Sequence, residues 1–452
     1  MSFVHPAFPL LLAAVVAAHR VVPSSWRPTI LLLGSVLFYG WGQPSLLLLL
    51  FGVGVSDWAL ALVVEQAENK RPWITLAVLK DVGMLVWFKF LGPAVGLPVF
   101  VPLGLAFYGL QSLGYVLDVA SGRIRARASL IDVLQFVSFF PQLVAGPVER
   151  AKELMPQLEA RGVATTQQLR AGIVLLAWGA FQKMVVSDSL DPWVDRAFAL
   201  NDPGGPIVWA ASAAFMVQVY ADLSGYTDLA RGAALLIGIT LSKNFNAPWR
   251  ATTTSEFWSR WHLTVTRFVR DHLLGPLLGQ GTPGPLRRVW ATGMALFIMG
   301  VWHGSGWHFV IFGLFHAIIT GFYTLLEPWA PWRNPRLRPF MAVFYLVFVG
   351  WVGAMIFREP STPRMVGHLM RPFWVGTWEE VVSGLSILGL AMLLAVPLGI
   401  GQLVAERWNT NPRWVEQSPW SLPLQVFGVS LMLAAVFVMW RPTDADFLYF
   451  VF

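Results

Sequence analysis

Phe309-Val-Ile-Phe-Gly-Leu-Phe-His-Ala-Ile-Ile-Thr-Gly-Phe-Tyr-Thr-Leu-Leu326 carries no charged residue, and His316 is the one group in it that titrates near neutrality. Wound as a helix at about 1.5 Å per residue, a run of this length spans most of a hydrocarbon core about 30 Å thick. Runs of the same kind recur along the whole chain. They are Phe8–Val22, Thr29–Val55, Ile74–Leu91, Val99–Leu117, Ile173–Val186 and Ile207–Tyr220, then Leu229–Ile239, Ala291–Trp302, Phe340–Ile356, Leu385–Ile400 and Leu422–Met439. Several are short and read as broken, tilted or re-entrant pieces. Span length predicts about ten to twelve hydrophobic passes. Backbone groups in hydrocarbon must bond within their own segment, so the fold class is an all-α polytopic membrane protein.

Composition agrees. The chain is 56% hydrophobic and 13% charged, the latter roughly half the usual fraction. There is no cysteine, which excludes disulfides, thiolate metal sites and a cysteine nucleophile. The net charge is +7, but the Lys and Arg residues lie between apolar spans. That pattern is a topology signal rather than a nucleic-acid footprint. No Lys or Arg precedes the first span, and its flank is a poor cleavage site, so it reads as a retained span. Residues 1–452 read as one integral membrane domain with a motif-bearing core of about 135–325.

Two polar islands interrupt the apolar pattern. In Ser121–Ala171, Arg123, Arg125 and Arg127 precede an apolar Leu130–Val144 that contains Pro141 and runs into Gly146-Pro147. Such a piece does not cross straight; it reads as re-entrant and must be buried against protein. Ala151–Arg170 reads as one amphipathic surface helix. The second island, Ser242–Arg270, interleaves Lys243, Arg250, Arg260, Arg267 and Arg270 with Phe245, Trp249, Phe257, Trp258 and Trp261. Basic and aromatic residues together suit a membrane boundary or an anionic ligand with a planar ring. Thr254-Ser-Glu256 offers a helix start. Trp26, Trp41, Trp73, Trp329 and Trp332 read as interface anchors.

His303, in Met299-Gly-Val-Trp-His-Gly304, is a titratable ring in an apolar setting, where such a group is functional by default. His262, in Glu256-Phe-Trp-Ser-Arg-Trp-His262, also follows a Trp at the edge of an apolar segment. The alternative for both is an interior histidine satisfied by backbone carbonyls. His303 and His308 stand about 140° apart around an ideal helix, so they share no face and a metal site is weakly supported. In Tyr220-Ala-Asp-Leu-Ser-Gly-Tyr-Thr-Asp228, Asp222 and Asp228 read as a structural network paired to Arg231 or Lys243.

An ordered set of motifs gives these residues a context. Phe139-Phe-Pro-Gln-Leu-Val-Ala-Gly-Pro-Val-Glu-Arg150, Tyr220–Asp228, Asn244-Phe-Asn-Ala-Pro-Trp249, Glu256–His262, Arg270-Asp271, Trp302-His-Gly304 and the terminal Phe447-Leu-Tyr-Phe-Val-Phe452 follow one another. In this order the chain resembles the membrane-bound O-acyltransferase family, in its bacterial alginate O-acetyltransferase-like branch. The chain departs from that pattern at Thr264, where Ser is common, at His272, where Tyr is usual, and around Leu278–Pro285, where a Gly-Gly-Asn-Arg run is missing.

The resemblance implies a ring of helices with re-entrant segments around a central funnel. His303 then matches the catalytic histidine and His262 a second histidine near the reaction centre, able to donate to the substrate carbonyl or to orient the acceptor. It implies acetyl-CoA as the acyl donor, with no bound cofactor and no metal. The setting is a multi-pass protein of the bacterial inner membrane, in contact with lipid and not with nucleic acid. An exported SGNH-like transferase is the expected partner, and an extracytoplasmic polysaccharide the acceptor: alginate, cellulose, another exopolysaccharide or peptidoglycan. Arg260 and Arg270 are candidates to steer the donor's phosphates, with Trp261, Asn244, Asp222 and Trp302 as further binding residues. Tyr449 is either an interfacial anchor or an acyl relay. D-alanyl transfer to teichoic acid, a transporter or flippase, and a haem protein are the competing readings.

Overall fold

The computed structural model describes residues 1–96, 102–326, 334, 336–410 and 421–440. Among the described residues the regular structure is helical throughout. Seven helices among the described residues are long and apolar enough to cross a membrane: Leu46–Gln66, Thr166–Ala199, Gly205–Ile237, Trp307–Leu326, Pro339–Arg358, Trp378–Val404 and Leu422–Met439. Phe8–Val21 and Arg27–Gly40 are shorter apolar helices. Trp26, Trp41 and Trp73 are exposed near helix ends, as interface anchors are.

Two expected boundaries shift. Thr29–Val55 is not one span: Arg27–Gly40 and Leu46–Gln66 are separate helices, with Pro44 in the turn between them. Conversely, Ile207–Tyr220 and Leu229–Ile239 are parts of one helix, Gly205–Ile237. The acids between those runs do not interrupt the helix, because each has a cation. Asp222 pairs with Lys183 at 2.8 Å and Asp228 with Arg231 at 2.8 Å.

The chain divides into two compact units, one formed by residues 1–179 and 226–243, the other by 180–225 and the described residues from 244 onward. In the first, helix Leu130–Ser138 ends at Phe139, and Phe139–Arg150 follows as a fully buried connection. A buried loop must satisfy its own polar groups. Gln111 ties its two ends: its amide nitrogen donates to the Phe136 carbonyl in the last turn of the helix at 2.6 Å, and its oxygen accepts from Glu149 N in the connection at 3.2 Å. Phe140 N donates to Ser35 Oγ at 3.2 Å. A Cβ on Gly146 would stand 2.4 Å from the Gln142 Cα, so only glycine fits this fold-back. The segment is buried against protein, as its Pro and Gly residues predicted. Ala151–Arg170 is not one helix: Ala151–Ala160 stops at Arg161, which is left-handed with φ 51°, and the next helix begins at Thr166.

Candidate functional site

All candidate site residues that the structure describes lie in the second unit. Tyr449, Trp329 and Trp332 lie outside the described residues.

His303 is the last residue of helix Pro285–His303, and Gly304 continues in extended backbone. Its Nδ1 lies 2.7 Å from the Met299 carbonyl, one turn back. A carbonyl only accepts, so Nδ1 carries the hydrogen and Nε2 is the basic nitrogen. The ring is half-buried. Around it stand Trp302 at 5.1 Å, Phe357 at 5.3 Å, Phe312 at 5.9 Å and Phe309 at 6.2 Å between ring centroids. The helix that supplies Phe309 and Phe312, Trp307–Leu326, lies against the His303 helix at a glycine contact. A Cβ on Gly300 would come within 2.5 Å of the Gly313 Cα.

His262 is buried and left-handed, with φ 45°, as the cap of the short helix Leu263–Val269. Its partner is Asn244. Asn244 Oδ1 receives Thr264 N at 3.1 Å, Thr264 Oγ1 at 3.0 Å and His262 Nδ1 at 3.2 Å. Leu263 N donates to the Asn244 carbonyl at 2.9 Å. The Thr264 backbone N–H can only donate, so the Asn244 atom facing it is the amide oxygen. His262 Nδ1 therefore also donates, and Nε2 carries the lone pair. Burial pushes this ring, which lies in the connection between spans, down to about 4, so it is neutral at physiological pH. A neutral ring in this tautomer presents Nε2 as an acceptor. Thr264 meanwhile keeps the hydroxyl that a Ser would supply.

A series of ring contacts links the two histidines. His262 neighbours Phe245 at 6.0 Å, which meets Trp261 at 5.1 Å, and Trp261 stacks on Phe257 at 5.7 Å. Phe257 meets Trp258 at 5.2 Å, Trp258 meets His316 at 5.3 Å, and His316 meets Phe312 at 4.5 Å, beside His303. Tyr220, from the long helix Gly205–Ile237, closes the Phe245 and Trp261 end. The aromatic residues of the second polar island, all half-buried, thus pack against one another.

The remaining candidates separate. Arg260 is a local clamp: it pairs with Glu256 Oε1 at 2.9 Å and donates to the Asn246 carbonyl at 3.1 Å. Burial raises the Glu256 carboxyl, but hydrogen bonds from Thr252 and the Arg260 charge outweigh this and hold it below its usual range. Thr253, one residue before the expected helix start, is the cap, accepting from Glu256 N at 3.0 Å. Arg270 is exposed beside Asp271 at 3.0 Å. Asp222 is fully buried, and its partner is neither Arg231 nor Lys243 but Lys183, which also holds Asp188 at 2.8 Å. Lys183 was missed as a site-supporting residue, although a lone Lys within the apolar run Ile173–Val186 calls for an acid. The Asn244–Thr264 clasp had no signal in spacing, since it joins residues from different elements.

Residues 31–358 match the model of the membrane-bound O-acyltransferase family. The chain belongs to that family. It is accordingly an O-acyltransferase and a multi-pass membrane protein. Among its relatives is the probable alginate O-acetylase AlgI of Azotobacter vinelandii, 30% identical over 433 residues, covering 89% of this chain and 86% of the relative. The peptidoglycan O-acetyltransferase of Helicobacter pylori is 29% identical over 382 residues, 74% of this chain and 71% of that one. The teichoic acid D-alanyltransferase of Bacillus subtilis is 24% identical over 245 residues, 50% of this chain and 60% of its own. Membership of this family replaces the transporter reading.

Proposed function

We propose that this membrane-bound O-acyltransferase transfers acetyl from acetyl-CoA to a hydroxyl, for O-acetylation of an extracytoplasmic polysaccharide, with His303 as general base. The single observation that carries the reading is the bond from His303 Nδ1 to the Met299 carbonyl at 2.7 Å. It fixes the tautomer in which Nε2 can take a proton, on a half-buried ring that is held in place.

The acceptor oxygen attacks the thioester carbonyl as its proton passes to His303 Nε2. The carbon–oxygen bond forms, the carbon–sulfur bond breaks, and His303 returns the proton to the departing thiolate. A thiol with a pKa near 8.5 leaves easily, so one imidazole serves both transfers. His262, with the same nitrogen unprotonated, offers a second acceptor that orients the incoming hydroxyl. Arg270, on an exposed stretch, is suited to meet the donor's phosphates; Arg260 instead holds the loop that carries His262. The support for acetyl over D-alanyl is the extent of similarity, which spans most of the chain for the O-acetylases and about half for the D-alanyltransferase. The setting is the bacterial inner membrane, with a helix ring and funnel giving each substrate its own approach. An exported SGNH-like transferase completes delivery to the polymer.

The test is release of free thiol from acetyl-CoA by the purified protein in lipid nanodiscs, with an acetyl acceptor supplied. Wild type is expected to release thiol and His303→Ala to release none above background. Full thiol release by His303→Ala would sink the assignment.

A further inference from the structure

The rings beside the half-buried His303 form a contiguous aromatic wall. Phe309 meets Phe357 at 5.0 Å and Phe312 meets Phe357 at 5.2 Å, so the phenyl groups that touch the imidazole also touch one another. Phe309 lies nearly parallel to the imidazole, at 20° and 6.2 Å, while Phe312 and Phe357 stand at 81° and 85° to it.

Further groups back the wall. Phe312, itself half-buried, also meets His316 at 4.5 Å. Phe357 is backed by the buried Phe215 at 6.4 Å. Its chain neighbour Arg358 lies over Phe198 and Phe215 and pairs with Asp195 at 2.5 Å. The Gly300–Gly313 approach fixes the register of Phe309 and Phe312 against His303, since neither helix can slide while their backbones touch. Protein interiors packed this closely transmit a misfit rather than absorb it.

We infer that Phe312 and Phe357 are specificity-determining residues that restrict the acyl group served by His303 to short chains, with acetyl favoured over butyryl and longer groups. This rests on the reading of His303 as the base of acyl transfer. The carbonyl carbon under attack must lie beside the His303 ring, and the remainder of the acyl group must then lie against the rings that surround it. A two-carbon group adds one methyl there; each further methylene crowds Phe312 or the buried Phe357, which Phe215 backs.

The test compares thiol release from acetyl-, butyryl- and hexanoyl-CoA by wild type, Phe312→Leu, Phe357→Leu, Phe312→Ala and His303→Ala in nanodiscs. A hydrophobic pocket discriminates about tenfold or more per misfit of this size. Wild type is expected to prefer acetyl over butyryl by at least about tenfold, and each wall variant to shift that ratio toward the longer chains by a similar factor. The leucine variants keep the site filled, so the comparison does not depend on an alanine variant that fails to fold. Wild type that uses hexanoyl-CoA as well as acetyl-CoA, or leucine variants with an unchanged ratio, would overturn the wall while leaving the His303-dependent chemistry standing. Thiol release by His303→Ala equal to wild type would overturn the base assignment, and this inference with it.

Discussion

His262 Nδ1 donates to Asn244 Oδ1 at 3.2 Å, and the same oxygen accepts the backbone N–H of Thr264 at 3.1 Å. The second bond fixes the amide, and the amide fixes the imidazole. Asn244→Ala leaves these two donors and the Thr264 hydroxyl buried without their acceptor, a loss of about 1–3 kcal/mol per unmet group. Acyl transfer is expected to fall about tenfold or more through misorientation of His262. Asn244→Asp keeps the geometry but adds a negative charge, which favours the charged ring. Its activity is therefore expected to fail at a higher pH than wild type as the solution is acidified. A pH profile of thiol release distinguishes the two variants, and an unchanged acidic limb in Asn244→Asp would count against the pairing.

The ring of His262 also links stability to pH. Burial lowers its pKa from 6.5 to about 4. The folded form thus resists a proton that the unfolded chain accepts. Its contribution is fully present above about pH 6.5 and is lost as pH falls towards 4, by about 3 kcal/mol at 1.36 kcal/mol per pH unit. Melting temperatures in nanodiscs are expected to fall less steeply through that window in His262→Gln than in wild type. Parallel curves would show that His262 is not the group responsible.

His303→Gln removes the base while keeping a polar side chain at the end of its helix. Loss of general-base catalysis is expected to lower acetyl transfer by about 10²–10⁴-fold. Folding is expected to survive, judged by unchanged size-exclusion behaviour. A variant that keeps more than a tenth of wild-type turnover would remove His303 from the proton path.

Lys183 joins Asp188 and Asp222 in the interior. Lys183→Met leaves a fully buried carboxylate without its cation, which costs about 3–5 kcal/mol where the charge cannot relax. Lys183→Met combined with Asp222→Asn is expected to recover much of the lost melting temperature. Equal losses in the single and double variants would show that the pair is not coupled.

Gly300→Ala places a methyl group where the Gly313 backbone already stands. Overpacking of this kind costs about 1–3 kcal/mol. Because the same contact sets Phe309 and Phe312 against His303, activity is expected to fall by more than the stability loss explains. Activity measured well below the melting temperature separates the two effects.

The sequence by itself determined the solvent and the chemistry. Long uncharged runs such as Phe309–Leu326 demand helices in a membrane, because unbonded backbone is too costly in hydrocarbon. The ordered motifs around His262 and His303 pointed to acyl transfer, and Pro141 with Gly146 predicted a buried fold-back. Tertiary structure alone decided that Nε2 is the basic nitrogen of His262, because a tautomer follows from the partner of the other nitrogen and Asn244 reaches His262 only when the chain packs, whereas His303 takes its partner Met299 from its own helix. It also decided that Asp222 takes Lys183 and that the helix Gly205–Ile237 continues unbroken past its acids. Helical periodicity carries burial, which repeats along one element. Ion pairs and hydrogen bonds between elements depend on the angle and depth at which helices meet, and those are set only when the chain packs.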